Sequence, residues 1–400
     1  MIYQTRVSCR SVLIGSRKEE STKLSTNARC ILIHRERWSG LPAELVLVAL
    51  QVSIIFLVLM WRIDYAGSTV NNPIWTEPQQ FSPFMPDEVS YISGRLVRFI
   101  SLSDVLLNYL ENAVNVNLWG NFIFFLSQRG FKWVQIVWIN IVGYFVFVAV
   151  LLSLLDNLVR NSAYRFLIFA IITFNPGLFQ ISVSSIRDIW ILVFLVASIL
   201  SLRKKLYVLA VLFTILLGIL RTYMLTIVIF FAFAMFFKKK FPFIIVCFLL
   251  IILSVSLLLQ IRPYFLQLLR NEFLVKFVEN FTGLNWYMIT GRYKLEGSPT
   301  YKLEIVGNYY VFLSYSLIWT MAIIKRKLKQ LIADRLVLAS LISGLYLTVL
   351  HAMAIGFFVL RIKLITWLLV FAFISPEIIL SDVPGLSVSR RLLNMTERKG

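Results

Sequence analysis

Long apolar runs, separated by short polar and basic segments, recur along almost the whole chain. A helix that crosses a bilayer needs about 20 apolar residues, because the hydrocarbon core is roughly 30 Å thick. We predict membrane-crossing helices near residues 43–60, 132–155, 164–182, 187–202, 205–220, 223–237, 241–259, 305–324, 335–358 and 364–380. The expected fold class is therefore all-α, a polytopic membrane bundle of about ten transmembrane helices.

The composition excludes most soluble classes of protein. Hydrophobic residues make up 59% of the 400 residues and charged residues 15%, and the mean hydropathy is +0.79. A soluble domain of this length carries more charged surface. The formal net charge is +20, but many Lys and Arg residues lie between apolar runs, where they set orientation and contact anionic headgroups. We therefore expect membrane lipids as partners and no nucleic acid.

The densest basic clusters follow alternate apolar runs. They occupy residues 160–165, 203–205, 238–240, 325–329 and 390–399. With about ten crossings and a cytoplasmic N-terminus, all of these clusters lie on the cytoplasmic face, as the positive-inside rule requires. We predict a multi-pass protein of the cytoplasmic (inner) membrane with both termini in the cytoplasm. Its parts are a basic N-terminal arm (1–42), a transmembrane domain (43–380) and a basic tail (381–400).

The same topology assigns the remaining connections to the outer face. Residues 65–131 and 260–304 form two long outer loops, and residues 183–187 form a short turn. Interrupted apolar patterns predict interfacial amphipathic helices within 99–127 and 263–280. Basic residues on this face oppose the orientation bias, so candidate chemistry is sought there.

Two adjacent carboxylates lie in the first outer loop, in the stretch Pro86-Asp87-Glu88. Paired carboxylates can act as a general base or bind a divalent metal. Proline followed by two acidic residues is equally typical of the first turn of a helix. Both interpretations stay open, and Asp87 and Glu88 are the candidate catalytic residues.

A polar hinge begins at Asn175-Pro-Gly and ends in Arg187-Asp188, at the start of the next apolar run. Ionisable residues at membrane depth are costly, and they tend to be paired or functional. A guanidinium matches phosphate oxygens in a fork geometry, which makes Arg187 a candidate ligand for a lipid-linked phosphate. The alternative is a local Arg187–Asp188 pair that caps the helix.

Further cationic residues interrupt the apolar runs on the same face. Arg221 has Tyr223 beside it, and Arg361 and Lys363 share another break. Each alone is typical of a side chain that snorkels to the interface, but several on one face suit a phosphate at headgroup depth. The outer loop 260–304 mixes aromatic and charged residues, a composition suited to stacking on sugar rings. The candidate substrate-binding residues are Arg187, Asp188, Arg221, Tyr223, Arg292, Arg361 and Lys363.

Other site classes have no support in the sequence. The chain has 3 Cys and 2 His, without the spacing of a zinc site or a disulfide framework. The motifs of ATP-binding, dinucleotide-binding, serine-hydrolase and zinc-protease chemistry are missing. We expect no cofactor, and the only open metal question concerns Asp87 and Glu88.

Two short motifs and the architecture resemble the glycan-assembly membrane proteins of bacterial envelopes. The stretch Asp87-Glu88-Val-Ser-Tyr91 resembles the acidic first-loop motif of GT-C type glycosyltransferases, which use polyprenyl-phosphate sugars. The Asn175-Pro and Arg187-Asp188 stretch is similar to a segment of both those enzymes and the Wzy-type polymerases of O-antigen and capsule. We expect no large soluble C-terminal domain of the kind found in many GT-C enzymes, which favours the polymerase, whereas the Asp87-Glu88 motif favours the transferase.

The resemblance implies a glycosyltransferase that joins sugars from a polyisoprenyl-(pyro)phosphate-linked donor at the outer membrane face. Arg187, Arg221 and Arg361 would hold the phosphate, and Asp87 or Glu88 would activate the acceptor hydroxyl. The partners would be a polyisoprenyl-linked saccharide and other polysaccharide-assembly proteins. Two alternatives stay open: a GT-C enzyme that adds a single sugar, and a non-enzymatic flippase or transporter of lipid-linked oligosaccharide.

Overall fold

The computed structural model describes residues 41–69, 88, 118–159, 161–221, 223–237, 239–261, 299–326, 331, 334–354 and 360–379. In these residues every secondary-structure element of several residues is an α-helix. They are α1 (Leu41–Thr69), α2 (Leu118–Gln128), α3 (Trp133–Leu158), α4 (Ser162–Thr173), α5 (Pro176–Ser182), α6 (Asp188–Arg203), α7 (Tyr207–Leu220), α8 (Met224–Phe236), α9 (Lys240–Ile261), α10 (Pro299–Ile324), α11 (Arg335–Ala354) and α12 (Leu360–Ile379).

The all-helical prediction is confirmed for the described residues, and each predicted apolar run contains at least one helix. Among the described residues, two helices are long and apolar enough to cross a membrane, at Ala43–Asp64 and Trp133–Leu158. The bent pair α4 and α5 makes a third if it counts as one span. These apolar helices indicate a membrane protein, and the count of ten spans stays a prediction.

The surface supports the same conclusion. Large apolar side chains on the outside of the helices are strongly exposed, with Leu57 70%, Val208 84% and Phe241 74% accessible. Water penalises an apolar surface of this extent, whereas lipid tails do not. Most buried positions are also apolar. On α12 every residue from Lys363 to Ile374 is buried.

Several boundaries differ from the prediction, and α10 begins at Pro299, inside the predicted outer loop 260–304, rather than at residue 305. Helix α1 continues past residue 60 to Thr69, and the run predicted as one span at 164–182 is broken into α4 and α5, which meet at 58°. Pro176 lacks the N–H that a continuous helix needs, and its ring clashes with the preceding turn. The Asn175 side chain caps α5 instead, because its Oδ1 accepts a hydrogen bond of 2.8 Å from Gly177 N.

The break exposes carbonyl groups at the end of α4, and neighbouring helices satisfy them. The Tyr310 hydroxyl on α10 donates to Ile171 O at 2.7 Å, and the Tyr144 hydroxyl on α3 donates to Thr173 O at 3.2 Å. Non-helical backbone at membrane depth is tolerated only where protein or a water-filled cavity surrounds it. The surrounding tyrosines meet this requirement.

Ion pairs and polar contacts join the helix ends at one end of the bundle, which we call the basic end. Arg165 at the start of α4 contacts Glu44 on α1 at 3.0 Å and Asp156 on α3 at 2.7 Å. Arg335 at the start of α11 donates to the carbonyl of Phe237, which follows α8. These contacts gather the starts of α1, α4 and α11 and the ends of α3 and α8 at the basic end. The connection between α5 and α6 lies beside the far part of α1, where Arg62 donates to Val183 O.

Candidate functional site

The connection between α5 and α6 is a buried turn, residues 183–187. Val183, Ser184, Ser185 and Ile186 are all buried. A buried backbone must find hydrogen-bond partners inside the protein, since an unsatisfied group costs about as much as a lost hydrogen bond. The partners of this turn therefore identify the residues that position it.

Side chains from four other segments bind the backbone of the buried turn, and three of them contact residues 184–186. Glu88 Oε1 accepts a hydrogen bond of 2.7 Å from Ser185 N. Trp119 Nε1 on α2 donates to Ser185 O at 2.8 Å. Asn140 Nδ2 on α3 donates to the carbonyls of Ser184 and Ile186 on either side. The conformation of the turn is thus held by tertiary contacts rather than by its own sequence.

Arg62 on α1 forms an ion pair with Glu88. The distance between Arg62 Nη2 and Glu88 Oε2 is 2.7 Å, and the two side chains are 1% and 0% exposed. Arg62 Nη1 also donates to the carbonyl of Val183. The Trp133 ring lies 4.8 Å from the guanidinium, in cation–π geometry, and its Nε1 donates to Glu88 Oε1 at 3.1 Å. A buried charge is tolerated when it is paired and hydrogen-bonded in this way.

Both oxygens of Glu88 are therefore engaged by protein groups. A general base must instead reach the proton of a substrate hydroxyl, at about 2.6–3.2 Å. The geometry favours Glu88 as an anchor for the buried turn, and its catalytic role stays a prediction. Asp87, the other predicted carboxylate, lies outside the described residues.

Arg187 is the last residue of the buried turn, and Asp188 is the first residue of α6. Arg187 is the residue before the helix and is partly exposed, whereas Asp188 is 1% exposed. Asp188 Oδ1 lies 3.3 Å from Arg221 Nη2, which follows α7. This contact is an ion pair between a buried carboxylate and a guanidinium whose side chain is 10% exposed. Its position in the first turn of α6 also favours a negative charge.

Arg221 is oriented by a second contact. Its Nη1 donates to the Tyr223 hydroxyl at 2.7 Å, and its guanidinium lies 5.7 Å from the centre of that ring. The Tyr223 carbonyl in turn accepts a bond of 3.4 Å from the Tyr346 hydroxyl on α11. The structure thus brings Arg221, Tyr223 and Asp188 together, as three of the residues that the sequence selected.

The remaining predicted residues fall elsewhere or are not described. Lys363 on α12 is 2% exposed, and its Nζ donates to Asn308 Oδ1 on α10 at 3.0 Å. Arg361 lies in the first turn of α12, but its side chain is outside the described residues, as is the whole of Arg292. Among the described residues, no group of three or more His, Cys, Asp or Glu could hold a metal ion.

Sequence reasoning missed the residues that hold the turn, namely Arg62, Trp119, Trp133, Asn140 and Ser185. Arg62 carried a signal, because it is a charge close to the end of a long apolar run. Its partner Glu88 is 26 residues away in the chain, and nothing local connects the two. Trp119 and Trp133 resemble ordinary interfacial aromatics in sequence.

Comparisons with protein-family models, with curated proteins and with solved structures found no match for this chain.

Proposed function

We propose that this chain is an integral membrane glycosyltransferase of the polysaccharide-polymerase kind. Its donor would be a saccharide linked to a polyisoprenyl (pyro)phosphate, and the reaction would take place at the outer face of the cytoplasmic membrane. Both termini would be cytoplasmic. The observation that carries the proposal is the collection of arginines from distant parts of the chain around residues 183–188.

Three arginines contribute to this collection. Arg62 contacts the buried turn through Val183 O and Glu88, Arg187 closes the turn, and Arg221 contacts Asp188. Guanidinium groups bind phosphate oxygens through paired N–H donors. Arg187 and Arg221 are only partly buried, so we assign the phosphate to these two. Arg62, which is buried against Glu88, would support the turn that presents them.

The reaction would be a displacement at the anomeric carbon of the donor sugar. The acceptor hydroxyl oxygen forms the new bond to that carbon, and the bond from the carbon to the phosphate oxygen breaks. The electron pair leaves with the polyisoprenyl (pyro)phosphate, whose growing negative charge Arg187 and Arg221 would stabilise. The hydroxyl proton passes to a general base. We assign that base to Asp87 and give Glu88 the positioning role, because both oxygens of Glu88 hold protein groups.

A transporter of lipid-linked oligosaccharide is the second candidate, and the break between α4 and α5 favours it. Broken helices surround the substrate sites of many secondary transporters. Polar side chains are buried at this break: Gln51 Nε2 donates to Thr173 Oγ1 at 2.5 Å, and Asn175 and Gln180 are 0% and 1% exposed. A transporter would move the glycan without forming a glycosidic bond.

The test uses the full chain in proteoliposomes, with a polyisoprenyl-pyrophosphate oligosaccharide carrying a fluorescent sugar. Arg187→Gln and Arg221→Gln are compared with Arg129→Gln, an exposed arginine between α2 and α3 that contacts the Phe125 ring. The products are separated by gel electrophoresis. We expect a ladder of longer glycans with wild type and with Arg129→Gln, and a loss of about 10²-fold or more with either site variant.

Each of the other outcomes indicates one of the alternatives or contradicts the proposal. Addition of one sugar without a ladder indicates the single-sugar GT-C alternative. Movement of label across the membrane without any new glycosidic bond indicates the transporter. Equal ladders from all four proteins at equal folded amounts would remove Arg187 and Arg221 from the site and overturn the proposal.

A further inference from the structure

A polar cleft of about 520 Å³ lies at the basic end of the bundle, far from the buried turn. It is formed where α6 ends, α7 begins, α8 ends and α11 begins. The residues that line it are Leu202, Arg203, Lys205, Tyr207, Ala234, Met235, Phe236, Asp334, Arg335 and Leu336. Its volume is within the range of small-ligand pockets, which is about 300–1,000 Å³.

The charge of the cleft favours an anion. Three cationic side chains, Arg203, Lys205 and Arg335, face a single carboxylate, Asp334. That carboxylate already has a role at the start of α11, where its Oδ1 accepts hydrogen bonds from Leu336 N at 2.8 Å and Val337 N at 3.3 Å. Arg335 donates to the Phe237 carbonyl, but a guanidinium has five N–H donors and one contact does not exhaust it.

The lysine in the cleft occupies a backbone position that normally belongs to glycine. Helix α6 ends in a Schellman motif, with Leu206 N bonded to Ser201 O at 2.9 Å and Lys205 N bonded to Leu202 O at 3.1 Å. The residue at that corner adopts a left-handed conformation, and here it is Lys205 with φ 60°. Glycine avoids the Cβ penalty at such a corner. A strained lysine there points to a use for its charge.

The rim of the cleft is apolar and exposed. Tyr207 and Phe236 line it with ring centres 6.0 Å apart, and the neighbouring Leu206 and Val208 are also exposed. A water-soluble anion gains nothing from such a rim. A phospholipid does, because its phosphate can enter the cleft while its acyl chains cover the rim.

We infer that this cleft binds the phosphate headgroup of an anionic phospholipid from the membrane leaflet at the basic end. Arg203, Lys205 and Arg335 contact the phosphate oxygens, and Tyr207 and Phe236 contact the upper part of the acyl chains. The inference assumes that the protein lies in a membrane in the cell. It does not rest on glycosyltransferase activity. Lipid bound there would link α6, α8 and α11.

The test measures lipid binding to the purified full chain in detergent by native mass spectrometry. The probes are a diphosphate lipid (cardiolipin), phosphatidylglycerol, zwitterionic phosphatidylcholine and inorganic phosphate. The variant is Lys205→Gly, which removes the charge and the left-handed strain together, so the fold is kept. The control is Lys240→Gln, an exposed lysine at the same end that does not line the cleft.

We expect both anionic lipids to bind more tightly than phosphatidylcholine. In Lys205→Gly the dissociation constants of the anionic lipids should rise about fivefold, which is the effect of one basic residue at a lipid surface. Lys240→Gln should bind as wild type does. The inference is overturned if Lys205→Gly and wild type bind equally, or if phosphatidylcholine binds as well as the anionic lipids. Displacement of the lipid by millimolar phosphate would instead show a site for a free anion.

Discussion

Arg62 and Glu88 form an ion pair that is closed off from solvent, with 2.7 Å between Nη2 and Oε2 and side chains 1% and 0% exposed. Removing one partner of a buried pair leaves the other charge uncompensated, at a cost of about 3–5 kcal/mol. We therefore expect Glu88→Gln and Arg62→Met each to lower the apparent unfolding temperature strongly in detergent. Differential scanning fluorimetry measures this change.

The double variant Arg62→Met/Glu88→Gln provides the control for that prediction. It removes both charges together, so it should be less destabilised than the two single changes combined. If the fall in unfolding temperature of the double variant equals the sum of the falls in the two single variants, the two residues are not coupled.

Asp188 at the start of α6 forms an ion pair with Arg221 at the end of α7, with 3.3 Å between Oδ1 and Nη2. Asp188 is 1% exposed, and a nearby cation stabilises a carboxylate that is buried in this way. We expect Asp188→Asn to destabilise the protein, and a double-mutant cycle with Arg221→Gln to give a coupling free energy of about 0.5–3 kcal/mol. The cycle is measured by denaturant unfolding, with Arg129→Gln paired to Asp188→Asn as the reference. A coupling equal to that of the reference pair would contradict the assignment.

The Asn175 cap at the start of α5 should contribute measurably to the free energy of unfolding. Asn175 Oδ1 accepts from Gly177 N at 2.8 Å. Replacing a capping side chain by alanine costs about 0.5–2 kcal/mol. We expect this loss for Asn175→Ala, and a smaller one for Asn175→Ser, which keeps an oxygen that can accept the same bond. Equal losses from the two variants would show that the side-chain oxygen does not stabilise α5.

The close approach of α3 and α6 leaves little room for a side chain at position 143. A Cβ built on Gly143 lies 3.0 Å from Trp190 Cε2 and 3.2 Å from Ile189 Cγ2. Overpacking of this kind costs about 1–3 kcal/mol. Gly143→Ala should therefore destabilise the protein, whereas Val142→Leu on the exposed side of the same helix should not. The unfolding temperature of the two variants distinguishes them.

The helices and the hinge were predictable because their signals are local. Apolar runs marked the helices, Asn175-Pro176 marked a break, and Arg187-Asp188 marked the start of α6. The sequence did not show that the break would bend the chain by 58° within one predicted span. Nor did it show that Tyr144 and Tyr310, from other helices, would donate hydrogen bonds to the carbonyls at this break.

The candidate site was predictable only in part. Arg221, Tyr223 and Asp188 were selected as polar residues on one face, and the structure brings them together. Glu88 was selected as a catalytic carboxylate, yet its oxygens bind Arg62, Trp133 and Ser185. The sequence could not reveal this, because those three partners come from separate segments of the chain.

Hydropathy and charge along the chain were enough to predict the helices that the structure describes and to indicate a membrane protein, since each helix depends on its own residues and on the surrounding solvent. The environment of each charge was decided by tertiary packing. Arg62, Asp188 and Lys363 are all charged residues at the edge of apolar runs, and each has another charged residue within two positions in the sequence. Packing pairs the first with a buried carboxylate, the second with Arg221 and the third with Asn308, because contact in space joins residues that are far apart in the chain.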